Sequence, residues 1–184
     1  MSSSIPVLSG RFALAGGFAA VPTIILAEVA DRFAPRTPHL VFNLIPPLSV
    51  AFALWWLSRR EGLIRRGSRS LGMVSIALAA VASWYLAQRV YIQLHGGFTA
   101  EYMAGAVGAL LLALPLPWMW SSSRRSGILL AAAVAAGILG VALAIAIRAP
   151  FHVQLSSHDR WLYVLMPVWQ ATVFAALAGT RKLL

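Results

Sequence analysis

The sequence predicts an all-α, polytopic membrane protein: six transmembrane helices arranged as three hairpins, with both termini on the cytoplasmic side. Three observations carry this prediction. Of the 184 residues, 60% are hydrophobic and only 11% are charged, and the mean hydropathy is +0.78. A soluble domain of this length lacks the polar surface to cover so much apolar side chain. The apolar residues fall in runs long enough to cross about 30 Å of hydrocarbon as helices. The positive charges fall between those runs, and unequally on alternate sides. Six spans of about 20 residues use roughly two-thirds of the chain, so residues 1–184 read as a single transmembrane helical bundle with short loops.

The first span is Phe12–Ala30. Its start has the small-residue character of a signal peptide, but only Arg11 precedes it as a positive charge and the run continues past Pro22, so an uncleaved span is expected. The second, Leu40–Leu57, contains Pro46–Pro47 and places Trp55 and Trp56 just ahead of Arg59. The third is Leu71–Leu94. The fourth, Met103–Trp120, carries Pro115 and Pro117 and ends with Trp118 and Trp120 shortly before Arg124. The fifth, Gly127–Ile147, has no polar residue. The sixth, Trp161–Ala178, opens on an aromatic residue and contains Pro167. Tryptophans at these boundaries fit the interfacial belt of a bilayer protein. The outer hairpins are faintly alike, LIPPLSVAFALWWLSRR against LMPVWQATVFAALAGTRK. Duplication and coincidence both fit so small an apolar alphabet.

Orientation follows from the basic residues. Arg11, then Arg59, Arg60, Arg65, Arg66 and Arg69, then Arg124 and Arg125, and finally Arg181 and Lys182 make ten of the fifteen positive charges. The alternate loops and helix ends hold Arg32, Arg36, Arg89, Arg148 and Arg160, largely offset by Glu28, Asp31, Glu101 and Asp159. The first group is therefore cytoplasmic, and the compact loops and Arg/Ala-rich style suggest a bacterial inner (plasma) membrane. The net charge of +10 would mark an anionic partner in a soluble protein. Here it orients spans and meets anionic headgroups. The expected partners are the lipid bilayer, a small solute or ion, and a membrane protein partner or second copy of the chain; nucleic acid is not among them.

Chemistry is largely excluded. There is no cysteine, which removes thiolate catalysis, disulfides and Cys-based metal sites. His39, His95, His152 and His158 include no pair at the i, i+4 spacing of a helical metal motif, so neither metal nor cofactor is expected. Ser156, Ser157, His158 and Asp159 are consecutive, which is not the separated geometry of a triad, and no phosphate-binding glycine loop occurs. No catalytic residue is assigned, and the chain is read as more probable non-enzyme than enzyme.

Candidate ligand-binding residues gather on the side opposite the basic face: Glu28, Arg32, Asn43, Arg89, Glu101, Arg148 and Gln170. Glu28 and Arg32 are spaced i, i+4 and share a helix face; either they simply pair at the interface, or the carboxylate is a proton carrier or cation ligand, as intramembrane acids generally are. Arg89 and Arg148 either snorkel to the surface or clamp an anion. Prolines within spans free backbone carbonyls, and Asn43 and Gln170 lie close to Pro46–Pro47 and Pro167, the arrangement by which transporters build midplane sites. Gly16 and Ala20, Gly105 and Gly108, and Ala136 and Gly140 form small-residue faces for close helix approach. Two functions fit: a binding or transport module for a small solute or ion with an outward-facing polar pocket, or a non-catalytic accessory, sensor or assembly subunit of a larger membrane complex. An enzyme acting on lipid ranks third. If Glu28 is a ligand or proton carrier, Glu28→Gln abolishes solute-dependent activity in reconstituted vesicles; unchanged activity removes that role.

Overall fold

A computed structural model describes residues 5–25, 39–65, 69–120, 126–148 and 164–180, and all regular structure among them is helical. The helices are α1 (Ile5–Ala19), α2 (His39–Arg60), α3 (Arg69–Gln93), α4 (Gly97–Ala113), the single turn α5 (Leu116–Met119), α6 (Ser126–Arg148) and α7 (Met166–Gly179). Four segments are long and apolar enough to cross a membrane: Pro6–Ile25, Ser70–Gln93, Gly97–Met119 and Ser126–Ile147. They correspond to the first, third, fourth and fifth apolar runs. Helix α2 has 22 residues, and the apolar α7 is shorter at 14.

The boundaries differ from the expected ones for identifiable reasons. Helix α1 begins before Phe12, because Pro6 suits a first helical turn and Val7 and Leu8 continue the apolar run. It breaks at Ala20 and resumes over residues 21–25, where Pro22 cannot donate to the backbone ladder. The expected fourth span divides into α4 and α5 around Pro115, with the Leu114 N–H donating to the carbonyls of Leu110 and Leu111 at 3.1 and 3.3 Å. Helix α4 also starts before Met103, at Gly97, so that Glu101 lies inside the helix. The short α3–α4 connection is possible because α3 ends in a Schellman closure: Gly96 N–H donates to Tyr91 O and His95 N–H to Ile92 O, both at 3.0 Å. His95 holds the left-handed position at φ 58°, and Gly96 and Gly97 follow at 74° and 84°.

Packing runs around a closed circuit: α1 on α2, α2 on α3, α3 on α4, α4 on α6, α6 on α7 and α7 back on α1. In lipid, helices gain little by hiding apolar surface from one another, so close backbone approach at small residues has to hold them together. At the α4–α6 crossing, a Cβ placed on Gly137 would lie 2.4 Å from the Gly105 carbonyl oxygen, and one on Gly105 would lie 2.9 Å from that of Gly137. At the α1–α7 crossing, a Cβ on Gly16 would lie 2.5 Å from the Gln170 carbonyl oxygen. The backbones touch at both places.

One end of the bundle is basic. Arg11 of α1 forms an ion pair with Glu61, just past α2, at 2.8 Å. Ile64 and Trp120 form an isolated antiparallel bridge, and Arg65 N–H donates to Met119 O at 3.0 Å. Gly179 at the end of α7 lies beside Ser9. Arg59 stacks over Trp55 and Arg60 over Trp56, 5.4 and 5.3 Å from the ring centroids, so the cations at this end sit on an aromatic shelf. The flanks are apolar outside as well as inside. Leu14 and Phe18 of α1, Phe52 of α2, Leu71 and Leu78 of α3, and Leu139 of α6 are all exposed, an exterior suited to lipid.

Gly137→Val is expected to force α4 and α6 apart and destabilise the bundle by about 1–3 kcal/mol. Gly10→Ala, within α1 and where a new Cβ meets nothing within 4 Å, is expected to raise stability slightly, since alanine is the better helix former. Thermal unfolding of both variants in one detergent checks the contrast.

Candidate functional site

A cavity of about 70 Å³ lies in the half of the bundle remote from the Arg11–Glu61 pair. Helical periodicity explains how each wall is made. Ala80, Ser83, Trp84 and Ala87 of α3 recur at the three- and four-residue spacing of one helix face, as do Glu101, Ala104, Gly105, Gly108 and Leu112 of α4. Pro47 and Val50 of α2, Val141 of α6, and Met166, Trp169 and Gln170 at the start of α7 complete the lining with Leu165. Most of the wall is aliphatic.

Trp169 gives the cavity its shape. Pro167 lies in the first turn of α7, so Trp169 and Gln170 project from the helix start, where they reach the middle of the bundle. The indole Nε1–H donates to Gly105 O at 3.2 Å. Its ring rests against Gly108, where an added Cβ would lie 3.2 Å away, and its Cα would lie 2.9 Å from a Cβ on Gly140. Three positions without side chains therefore make the seat for one large ring. Ser83 Oγ donates to Gly108 O at 2.7 Å, tying α3 to α4 in the same layer.

Two of the polar lining groups are thus committed to holding the wall. Gln170 is different: it is 1% exposed, and its Oε1 is buried without a hydrogen-bond partner. An acceptor stripped of water and left unbonded costs about 1–3 kcal/mol. Glu101 shares the cavity with it and is the one ionisable side chain among the described residues of the lining.

The structure brings together two of the residues predicted for the site, Glu101 and Gln170. Arg89 lies elsewhere: it is exposed, does not line the cavity, and binds Tyr85, with Nε and Nη2 donating to the phenol oxygen at 3.0 and 2.7 Å. Its guanidinium also sits 5.0 Å from the Tyr85 ring centroid. Asn43 falls within α2, and Arg148 is the last residue of α6. Glu28 and Arg32 lie outside the described residues. Ser83, Trp84 and Gly137 were not anticipated. The signal for the first two was the Ala80–Ser83–Trp84–Ala87 stripe, and for Gly137 the pair of glycines at i, i+3 with Gly140. No group of three or more His, Asp or Glu side chains able to hold a metal ion occurs among the described residues. No protein family, curated protein or solved structure matches the chain.

Trp169→Phe removes the indole donor and keeps most of the ring volume. It is expected to cost about 1 kcal/mol, read as a lower unfolding midpoint in detergent, with α4 and α7 still associated.

Proposed function

We propose that this chain is a six-span bacterial inner-membrane protein with both termini in the cytoplasm, and that it binds or transports a small solute through the cavity in its outer half. The observation that carries the reading is the convergence of Glu101 and Gln170 on one internal cavity. A bundle serving only as a scaffold gains nothing by burying a carboxamide with an unsatisfied oxygen. The gathering of Arg11, Arg59, Arg60 and Arg65 at the other end supports the orientation, since cytoplasmic ends carry the excess of positive charge. The length of α2 and the apolar character of α7 support two spans beyond the four apolar segments.

A second reading, an accessory or assembly subunit of a larger membrane complex, is favoured by one feature. Arg89 and Tyr85 are exposed together on the side of α3 facing away from the cavity, where a neighbouring membrane protein could meet them.

Native mass spectrometry of the gently extracted protein separates the two. A small molecule retained by the wild type and lost from Ala87→Phe, which fills the cavity, is the expected result. A stoichiometric protein partner without a small molecule would shift the assignment to the accessory subunit. Orientation is tested separately, because the chain has no cysteine and single-cysteine variants need no background removal. In intact cells an impermeant maleimide is expected to label Thr99→Cys at once and Ser126→Cys only after permeabilisation; the reverse order would invert the topology.

A further inference from the structure

We infer that the cavity selects a neutral, membrane-soluble molecule with an apolar body and a hydrogen-bond-donating hydroxyl, the hydroxyl seated on the Gln170 side-chain oxygen. The inference rests on the binding reading above and adds the chemical class of the guest. Of the polar groups in the wall, Ser83 is engaged with Gly108 O, Trp169 with Gly105 O, and Trp84 and Glu101 each have a partner. Gln170 Oε1 is buried and unbonded. An oxygen acceptor in a dry site is satisfied by a donor, and discrimination is largest when its absence leaves that acceptor unpaired. The aliphatic part of the wall asks for the opposite chemistry. Pro47, Val50, Ala80, Leu112, Val141 and Met166 offer a charged guest no solvation, and burying an ion against such a surface is strongly unfavourable. Trp84 and Trp169 add flat faces on which a ring or planar chain can lie. One donor on an otherwise apolar body meets both demands.

The test uses the full chain in phosphatidylcholine nanodiscs and three probes of one shape: 2-naphthol, 2-methylnaphthalene and 2-naphthylmethylammonium. Saturable uptake is measured by equilibrium dialysis against protein-free discs, and each Kd is referred to the probe concentration in the lipid. The expected result is that 2-naphthol binds about tenfold more tightly than 2-methylnaphthalene, the ratio for one buried hydrogen bond. Gln170→Leu is expected to bring the ratio to about one by weakening 2-naphthol alone, so that 2-methylnaphthalene reports an intact cavity. The wild-type ratio decides the matter even where that variant fails to fold. Equal wild-type affinities would overturn the hydroxyl assignment and leave the binding reading standing. Tightest binding of the ammonium probe would overturn neutrality in favour of a cationic guest. No saturable uptake of any probe would overturn the binding reading with it.

Discussion

Direct backbone contact is the constraint on which this bundle depends. A water-soluble helical protein can rely on apolar side chains leaving water, and its helices stay apart by the width of those side chains. A bundle of apolar helices in lipid would lack that drive. What remains is dispersion between closely fitted surfaces and the bonds that close approach allows. Gly105 and Gly137 let α4 and α6 touch, and Gly16 lets α1 lie on the backbone of α7. Once α4 and α6 stand this close, Gly108 and Gly140 leave a slot, and Trp169 fills it. The indole in turn braces the wall beside which the cavity lies.

The cavity thus follows from the packing. Helix α7 is pressed against α1 at Gly16 and against α4 and α6 through Trp169. Helices α2 and α3 approach the same interior mostly with smaller groups, Val50, Ala80, Ser83 and Ala87, with Trp84 the exception. Large groups on one side and small ones on the other leave a space, and Gln170, next to the bracing tryptophan, lies at its edge. Gln170 is closed in from the other side as well, where Gly16 of α1 lies against its backbone carbonyl.

Much of the fold was legible in the sequence because long apolar helices are written in length and hydropathy. The fifth run, without a polar residue, appeared as α6 within a residue at each end. Where the reading moved, proline or glycine moved it: α4 stopped short at Pro115 and began early at Gly97. The small-residue faces were legible as well, although Gly137 escaped notice because Ala136 and Gly140 already formed a plausible i, i+4 pair. The site was legible only in part. Gln170 could be singled out as a polar residue within an apolar run, and Glu101 as one just outside the end of another. Whether two such residues meet depends on how each helix is rotated about its axis, and hydropathy carries little information about rotation when a helix is apolar all round. Arg89 shows the difficulty, since it shares α3 with Trp84 and Ala87 yet turns to Tyr85 on the outside.

The apolar exterior has a further consequence. Leu14, Phe18 and Leu78 face outward, Phe12, Phe174 and Trp120 are buried, and glycines occupy the tightest crossings, so at those crossings bulk rather than polarity separates the contact from the rim of this protein. Its helices are indexed by where side chains are missing. Tolerance to substitution should accordingly follow a steric map: one added methyl group at a crossing does more harm than exchanging one large apolar residue for another on the rim, and a hydropathy profile would register neither change.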